Sequence, residues 1–111
     1  MPRPIRTIDI YLPLDYNDGR AIEGSKYVRL EDELLTRFGG VTSIQRQFPL
    51  RGLWWSEDRV FQDRVVVFSV LDFETTTEPE IVRYLERLKT RLKKKFAQLE
   101  ILITVHEMLA I

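Results

Sequence analysis

The stretch Val65-Val66-Val67-Phe68-Ser69-Val70-Leu71 is apolar at every position but Ser69 and rich in β-branched residues. An unbroken run of that kind is a strand buried on both faces, so it belongs at the centre of a sheet. Downstream, Thr77-Glu78-Pro79-Glu80 has the pattern of a capping box, with Thr77 accepting from an early amide and Glu80 reaching back. Behind it Ile81, Leu85, Leu88, Leu92, Phe96 and Leu99 share one stripe at helical spacing. Glu100 leads into a last strand, Ile101–Met108, in which Ile101, Ile103 and Val105 alternate with Leu102, Thr104 and His106.

Upstream the same logic gives a strand over Ile5–Leu12, with Ile8, Ile10 and Leu12 against Thr7, Asp9 and Tyr11, and Pro13 ending it. Leu14–Gly24 contains Asp15, Asn17, Asp18, Gly19 and Gly24 and reads as a long loop or wide turn. A helix from Ser25 or Lys26 to Phe38 places Tyr27, Leu30, Leu34 and Phe38 in a narrow arc, which Val28 and Leu35 widen, and Gly39-Gly40 stops it. Between Val41 and Leu71 two strands are expected. Thr42, Ile44 and Phe48 lie on the first, with Pro49 and Gly52 marking a bend, bulge or edge, and the return strand covers Arg59–Asp72 after a turn at Ser56-Glu57-Asp58.

The order is β-α-β-β-α-β in one domain spanning residues 1–111. Right-handed crossovers place both helices on one face of a four-stranded antiparallel sheet, an α+β ferredoxin-like sandwich with expected strand order 4-1-3-2. At 111 residues and 13.2 kDa, roughly two-thirds of the chain's surface is buried on folding, enough for one core without staples. Hydrophobic residues at 44% and charged residues at 31% exclude a disordered chain. No run is long enough to span a membrane and no secretion signal opens the chain, and cysteine is absent, so a cytoplasmic protein without disulfides, thiolate metal sites or cofactor is expected. Lys+Arg and Asp+Glu both number 17, so no net field attracts nucleic acid or membrane.

A two-layer sandwich leaves one sheet face bare. On it the alternation places Thr7, Asp9, Tyr11, Leu102, Thr104 and His106, with either Val65, Val67, Ser69 and Leu71 or Val66, Phe68 and Val70 from the central strand. Either set makes the face substantially apolar, which calls for a cover: a second copy, a partner protein, a small molecule or stacked bases. A homodimer is the commonest of these. Trp54 and Trp55 are the candidate interface residues. Neighbours on a strand point to opposite faces, so one can enter the core while the other anchors an interface or lies flat over an adjacent strand.

Three groups of residues could carry chemistry. Asp9, Tyr11 and His106 form a candidate open-face site, with Asp9 and His106 on neighbouring strands, but no serine has an activating context and a hydrolase is not indicated. The single histidine excludes a multi-histidine metal centre. In the Asp15-Asn17-Asp18 loop the twelfth position is Lys26 where a calcium loop needs Glu. From Arg83 to Lys95 seven basic residues face Glu86 alone, a net +6. Within it Arg87, Arg91, Lys93, Lys94 and Lys95 are a candidate anion or nucleic-acid patch, unless they only solvate a helix and complement its dipole. The strand Arg64–Val70 lacks the glycine and paired aromatics of an RNA-recognition module.

Asn17-Asp18-Gly19 with Ile22, the Leu35–Thr42 junction, Gly52-Leu53-Trp54 and Leu92–Gln98 resemble a group of small bacterial proteins of similar length whose activity is uncharacterised. That resemblance implies a bacterial or phage-like origin and the ferredoxin-like sandwich, and no catalytic residues. The sequence therefore favours a non-enzymatic, self-associating binding module. A nucleic-acid-binding or nuclease-like protein and a small-molecule enzyme at the open face are the alternatives.

Overall fold

The structure, a computed structural model, describes residues 2–39, 42–44, 50–56, 59–73 and 77–111, with side chains for 2–39, 65–73 and 77–111. The chain is an α+β protein with two helices and an antiparallel sheet. Its elements are β1 (Arg3–Pro13), α1 (Gly24–Phe38), β2 (Thr42–Ile44), β3 (Leu50–Ser56), β4 (Arg59–Asp72), α2 (Glu78–Lys95) and β5 (Leu102–Ala110). β1 lies between β4 and β5 and is antiparallel to both. β2 and β3 both pair with β4, β2 through Thr42 opposite Ser69 and β3 through Leu50 opposite Val65. Both segments lie where the second of the four strands is expected, and residues 45–49, with Phe48 and Pro49, fall outside those described. Among the described residues no helix is long and apolar enough to cross a membrane.

The register settles which residues of β4 lie under the helices. Ile10 is opposite Phe68 and Ile103, and Ile8 opposite Val70 and Val105. Ile8, Ile10, Leu12, Val66, Phe68 and Val70 form one cluster with Tyr27, Leu30 and Leu34 of α1 and Ile81, Leu85, Leu88 and Leu92 of α2. Both helices therefore cover the same sheet face, and burying each of these side chains contributes roughly 1.5–3 kcal/mol. Tyr27 ties three elements together. Its ring stacks on Phe68 and tilts against Phe96, while its hydroxyl donates to the Pro13 carbonyl at 2.6 Å, and burial pushes that hydroxyl's pKa up to about 12.

Several local expectations are corrected. Val28 and Leu35 are each 53% exposed, because they lie one turn-edge away from the arc that meets the sheet. Thr77 does occupy the N-cap of α2, but it makes no side-chain capping bond, and Pro79 in the first turn is what suits the helix start. The apolar stripe of α2 stops at the fully buried Phe96, and Leu99 is exposed. The cause is a left-handed turn at Ala97 (φ 51°) in which the Gln98 amide donates to the Lys93 carbonyl and the Ala97 amide to that of Lys94. This is the Schellman arrangement, built without the glycine that usually relieves the Cβ clash. Gly39 (φ 79°) ends α1 in the expected way, its amide donating to the Leu35 carbonyl.

Ala97→Gly should therefore stabilise the fold by about 0.5–1 kcal/mol, the steric relief exceeding the entropy cost of glycine. Calorimetry should show a Tm roughly 2–6 °C higher. A lower Tm would mean that Ala97 carries no strain.

Candidate functional site

The sheet face away from the helices is built from the odd residues of β1 and β4 and the even residues of β5. Asp9 sits opposite Ser69 on one side and Thr104 on the other, and Thr7 sits between Leu71 and His106. The centre of the face is thus polar: Thr7, Asp9, Ser69 and Thr104. Tyr11 lies next to Asp9 along β1, between Val67 and Leu102. The rim is apolar and open to water, with Leu71 40%, Phe73 46%, Leu102 38% and Met108 45% exposed. Val65 and Val67, by contrast, are already buried within the single chain, so the exposed apolar surface lies at the ends of the face and not along its middle.

Two details of the polar centre bear on binding. The Ser69 hydroxyl donates to Asp9 Oδ1 at 2.6 Å, which fixes the carboxylate against β4. Thr104 Oγ1, on the other flank of Asp9, is buried and, among the described residues, has no hydrogen-bond partner. Leaving a buried hydroxyl unsatisfied costs about 1–3 kcal/mol, so its presence asks for a reason outside packing. His106 shares the face two positions along β5 and is exposed, and Asp9 is bonded to Ser69. Asp9, Tyr11 and His106 thus lie on one surface of the sheet, together with Ser69 and Thr104. The side chains of Trp54 and Trp55 lie outside the described residues. Their backbone is in β3, opposite Phe61 and Val60 of β4, beyond the point where β1 ends at Pro13 opposite Val65.

The basic helix resolves into partnered and unpartnered groups. Arg91 gives both terminal nitrogens to Glu33 of α1 at 2.8 Å, and the same carboxylate accepts from the Tyr84 hydroxyl at 2.7 Å. Arg91, with help from Tyr84, holds the Glu33 carboxyl below its ordinary range. Lys89 pairs with Glu100 at 2.8 Å. Lys93 is half-buried, whereas Arg87, Lys94 and Lys95 are exposed. Acidic residues of the first half of the chain do partly offset the basic run, through Glu33. Sequence reasoning missed the contribution of Lys26 and Arg29. They are three apart on α1 and share a flank with Glu33, a signal visible only once the helices are known to lie side by side.

At the start of α1, Tyr16 donates its hydroxyl to Glu23 and accepts from Lys26, whose ammonium also donates to the Lys95 carbonyl at 2.8 Å. The loop before it closes through Asp15 and Ala21 and turns at Gly19 (φ 89°). It is a small hairpin-like turn, and among the described residues no group of three acidic, histidine or cysteine side chains could hold a metal ion.

No protein family model matches the sequence, and no curated protein sequence matches it. Solved structures do. A phage SAM lyase in complex with S-methyl-5'-thioadenosine superposes with a TM-score of 0.66 at 14% identity, over 96% of this chain and 90% of that one. A phage SAM lyase in its apo state gives 0.67 at 14% identity, over 96% and 84%. At that identity the likeness is one of fold.

Thr104→Val should leave stability unchanged or raise it, because the hydroxyl satisfies nothing in the folded chain. A urea midpoint lowered by more than the equivalent of about 1 kcal/mol would show that the hydroxyl has a structural partner. Glu23 gives a pH test. The Tyr16 hydroxyl, ahead of Lys26, draws its pKa from 4.5 down to about 2. Its contribution is complete above the unfolded value and is lost as pH falls through the folded one. Glu23→Gln should therefore narrow its stability difference from the parent between pH 5 and pH 2, and a constant difference would contradict the assignment.

Proposed function

We infer that the chain is a small enzyme or binding protein whose helix-free sheet face receives a small cationic molecule, and that a sulfonium nucleoside of the SAM type is its substrate. The observation that carries this reading is the grouping of Asp9 and Tyr11 at the polar centre of that face, beside Thr7, Ser69 and Thr104. A carboxylate beside an aromatic face suits a sulfonium, which is attracted by both the charge and the ring quadrupole. The likeness in fold to phage SAM lyases, one of them holding S-methyl-5'-thioadenosine, supports the ligand class.

The topology fits the same reading. Taking β2 and β3 as one interrupted strand gives the ferredoxin-like order 4-1-3-2, with two helices on one side and a ligand on the other. A lyase breaks the bond between the sulfonium sulfur and the amino-acid arm. The sulfur keeps the electron pair and leaves as a neutral thioether, and the arm balances its charge by closing on itself or losing a proton. Asp9 stabilises the positive sulfur and so favours the ground state at least as much as the transition state. Its role is binding, and His106 is a second group on this face able to accept a proton.

The apolar rim of Leu71, Phe73, Leu102 and Met108 is proposed to close over a second copy of the chain, enclosing the ligand between two faces. This keeps self-association as part of the function, and it makes the site a shared one.

Incubation of the purified protein with SAM, followed by chromatography, should show S-methyl-5'-thioadenosine accumulating with time. Asp9→Asn should raise KM about tenfold or more with a smaller change in kcat, the pattern of lost uniform binding. No thioether at millimolar SAM, and no thermal shift with SAM or the thioether, would leave the binding-module reading in its place. Light scattering should give a species near twice 13.2 kDa, and Leu71→Glu should reduce it to one copy. A monomer at high micromolar concentration would remove the enclosed site.

A further inference from the structure

The helix layer carries a second concave surface, on the opposite side of the molecule from the open sheet face. α1 and α2 run antiparallel, joined near one end by Lys26 to the Lys95 carbonyl and further along by Glu33 to Arg91. Between them is a groove of about 390 Å³. Its rims are Lys26 and Arg29 on α1 and Arg91, Lys94 and Lys95 on α2, with Glu33 at one end. Five cations line the groove, but Arg91 is paired with Glu33 and Lys26 with Glu23 at 3.3 Å, which leaves Arg29, Lys94 and Lys95 without a carboxylate among the described residues.

Fold stability explains part of this charge. Lys94 and Lys95 end α2, where cations complement the helix dipole. Lys26 and Arg29 lie in the first two turns of α1, where the dipole favours carboxylates, and α1 has no acidic residue in its first turn. Lys26 is offset by Glu23, 3.3 Å from its ammonium, and by the Lys95 carbonyl, so Arg29 is the cation of this half left without a carboxylate among the described residues, facing Lys94 and Lys95 across the groove. An anion seated between Arg29, Lys94 and Lys95 converts their mutual repulsion into attraction.

We propose that this groove binds a compact polyphosphate, either free or carried by a nucleoside. From Lys26 to Glu33 the helix rises about 10 Å, a length that suits two or three linked phosphates. The volume is at the small end for a ligand site. Glu33 closes one end with negative charge, whereas a polynucleotide needs a basic track that continues. Lys26 is held by Tyr16 and the Lys95 carbonyl and contributes charge from a fixed position. Arg29 and Lys94 are exposed and, among the described residues, make no ion pair, so they supply the direct hydrogen bonds.

The test is calorimetric titration of the whole protein at low salt with sodium tripolyphosphate, with ATP, and with a single-stranded DNA oligonucleotide of about 20 nucleotides. Tripolyphosphate should bind at one site per chain, and Arg29→Gln/Lys94→Gln should weaken it about tenfold or more while leaving the circular dichroism spectrum unchanged. Tighter binding of ATP assigns the ligand to a nucleoside polyphosphate, and equal binding assigns it to the phosphate chain alone. Absence of binding by both at millimolar concentration overturns the proposal. So does binding that the double variant leaves unchanged, and so does an oligonucleotide that tripolyphosphate fails to displace.

Discussion

The one-sidedness of the helix layer is the constraint from which the rest of the molecule follows. β1 sits between β4 and β5, and its residues alternate strictly, Ile8, Ile10 and Leu12 one way and Thr7, Asp9 and Tyr11 the other. Two crossovers of the same hand bring α1 and α2 over the isoleucine side. The polar alternates then have no helix to meet. A one-residue slip of β1 would exchange the two sets and put Asp9 beneath α2, so the hydrophobic core and the open-face site are fixed by the same register.

Much of this was legible in the chain, and the reasons differ by element. The run at Val65–Leu71 announced a central strand, and the structure shows Val65, Val66, Val67, Phe68 and Val70 all buried. The sequence alone left open which half of β4 faces the helices, because an all-apolar strand has no amphipathic signal; only pairing with β1 decides it. The open-face residues were readable because β1 and β5 do alternate. Leu99 illustrates the opposite case. Periodicity extends the α2 stripe to it, yet Ala97 adopts a left-handed conformation that local sequence does not flag, and Leu99 turns to solvent. Thr77 was placed correctly as the first residue outside α2, but position alone did not produce the hydrogen bond.

The basic helix shows what a single-element reading cannot supply. A count of charges over Arg83–Lys95 treats them as equivalent. The fold separates them into Arg91 and Lys89, already matched to carboxylates, and Lys94 and Lys95, which meet Lys26 and Arg29 across a cleft. The informative pairing joins residues more than sixty positions apart, and no window along the chain contains both.

Glu33 makes the interhelical contact unusually specific. Its two oxygens take both terminal nitrogens of Arg91 and the hydroxyl of Tyr84, two residues of α2 seven positions apart. Because the carboxylate is held at two heights on the neighbouring helix, a lengthwise slip of one turn would break all three bonds at once. The two helices are thereby registered against each other, and this one contact sets their relative height beside the groove.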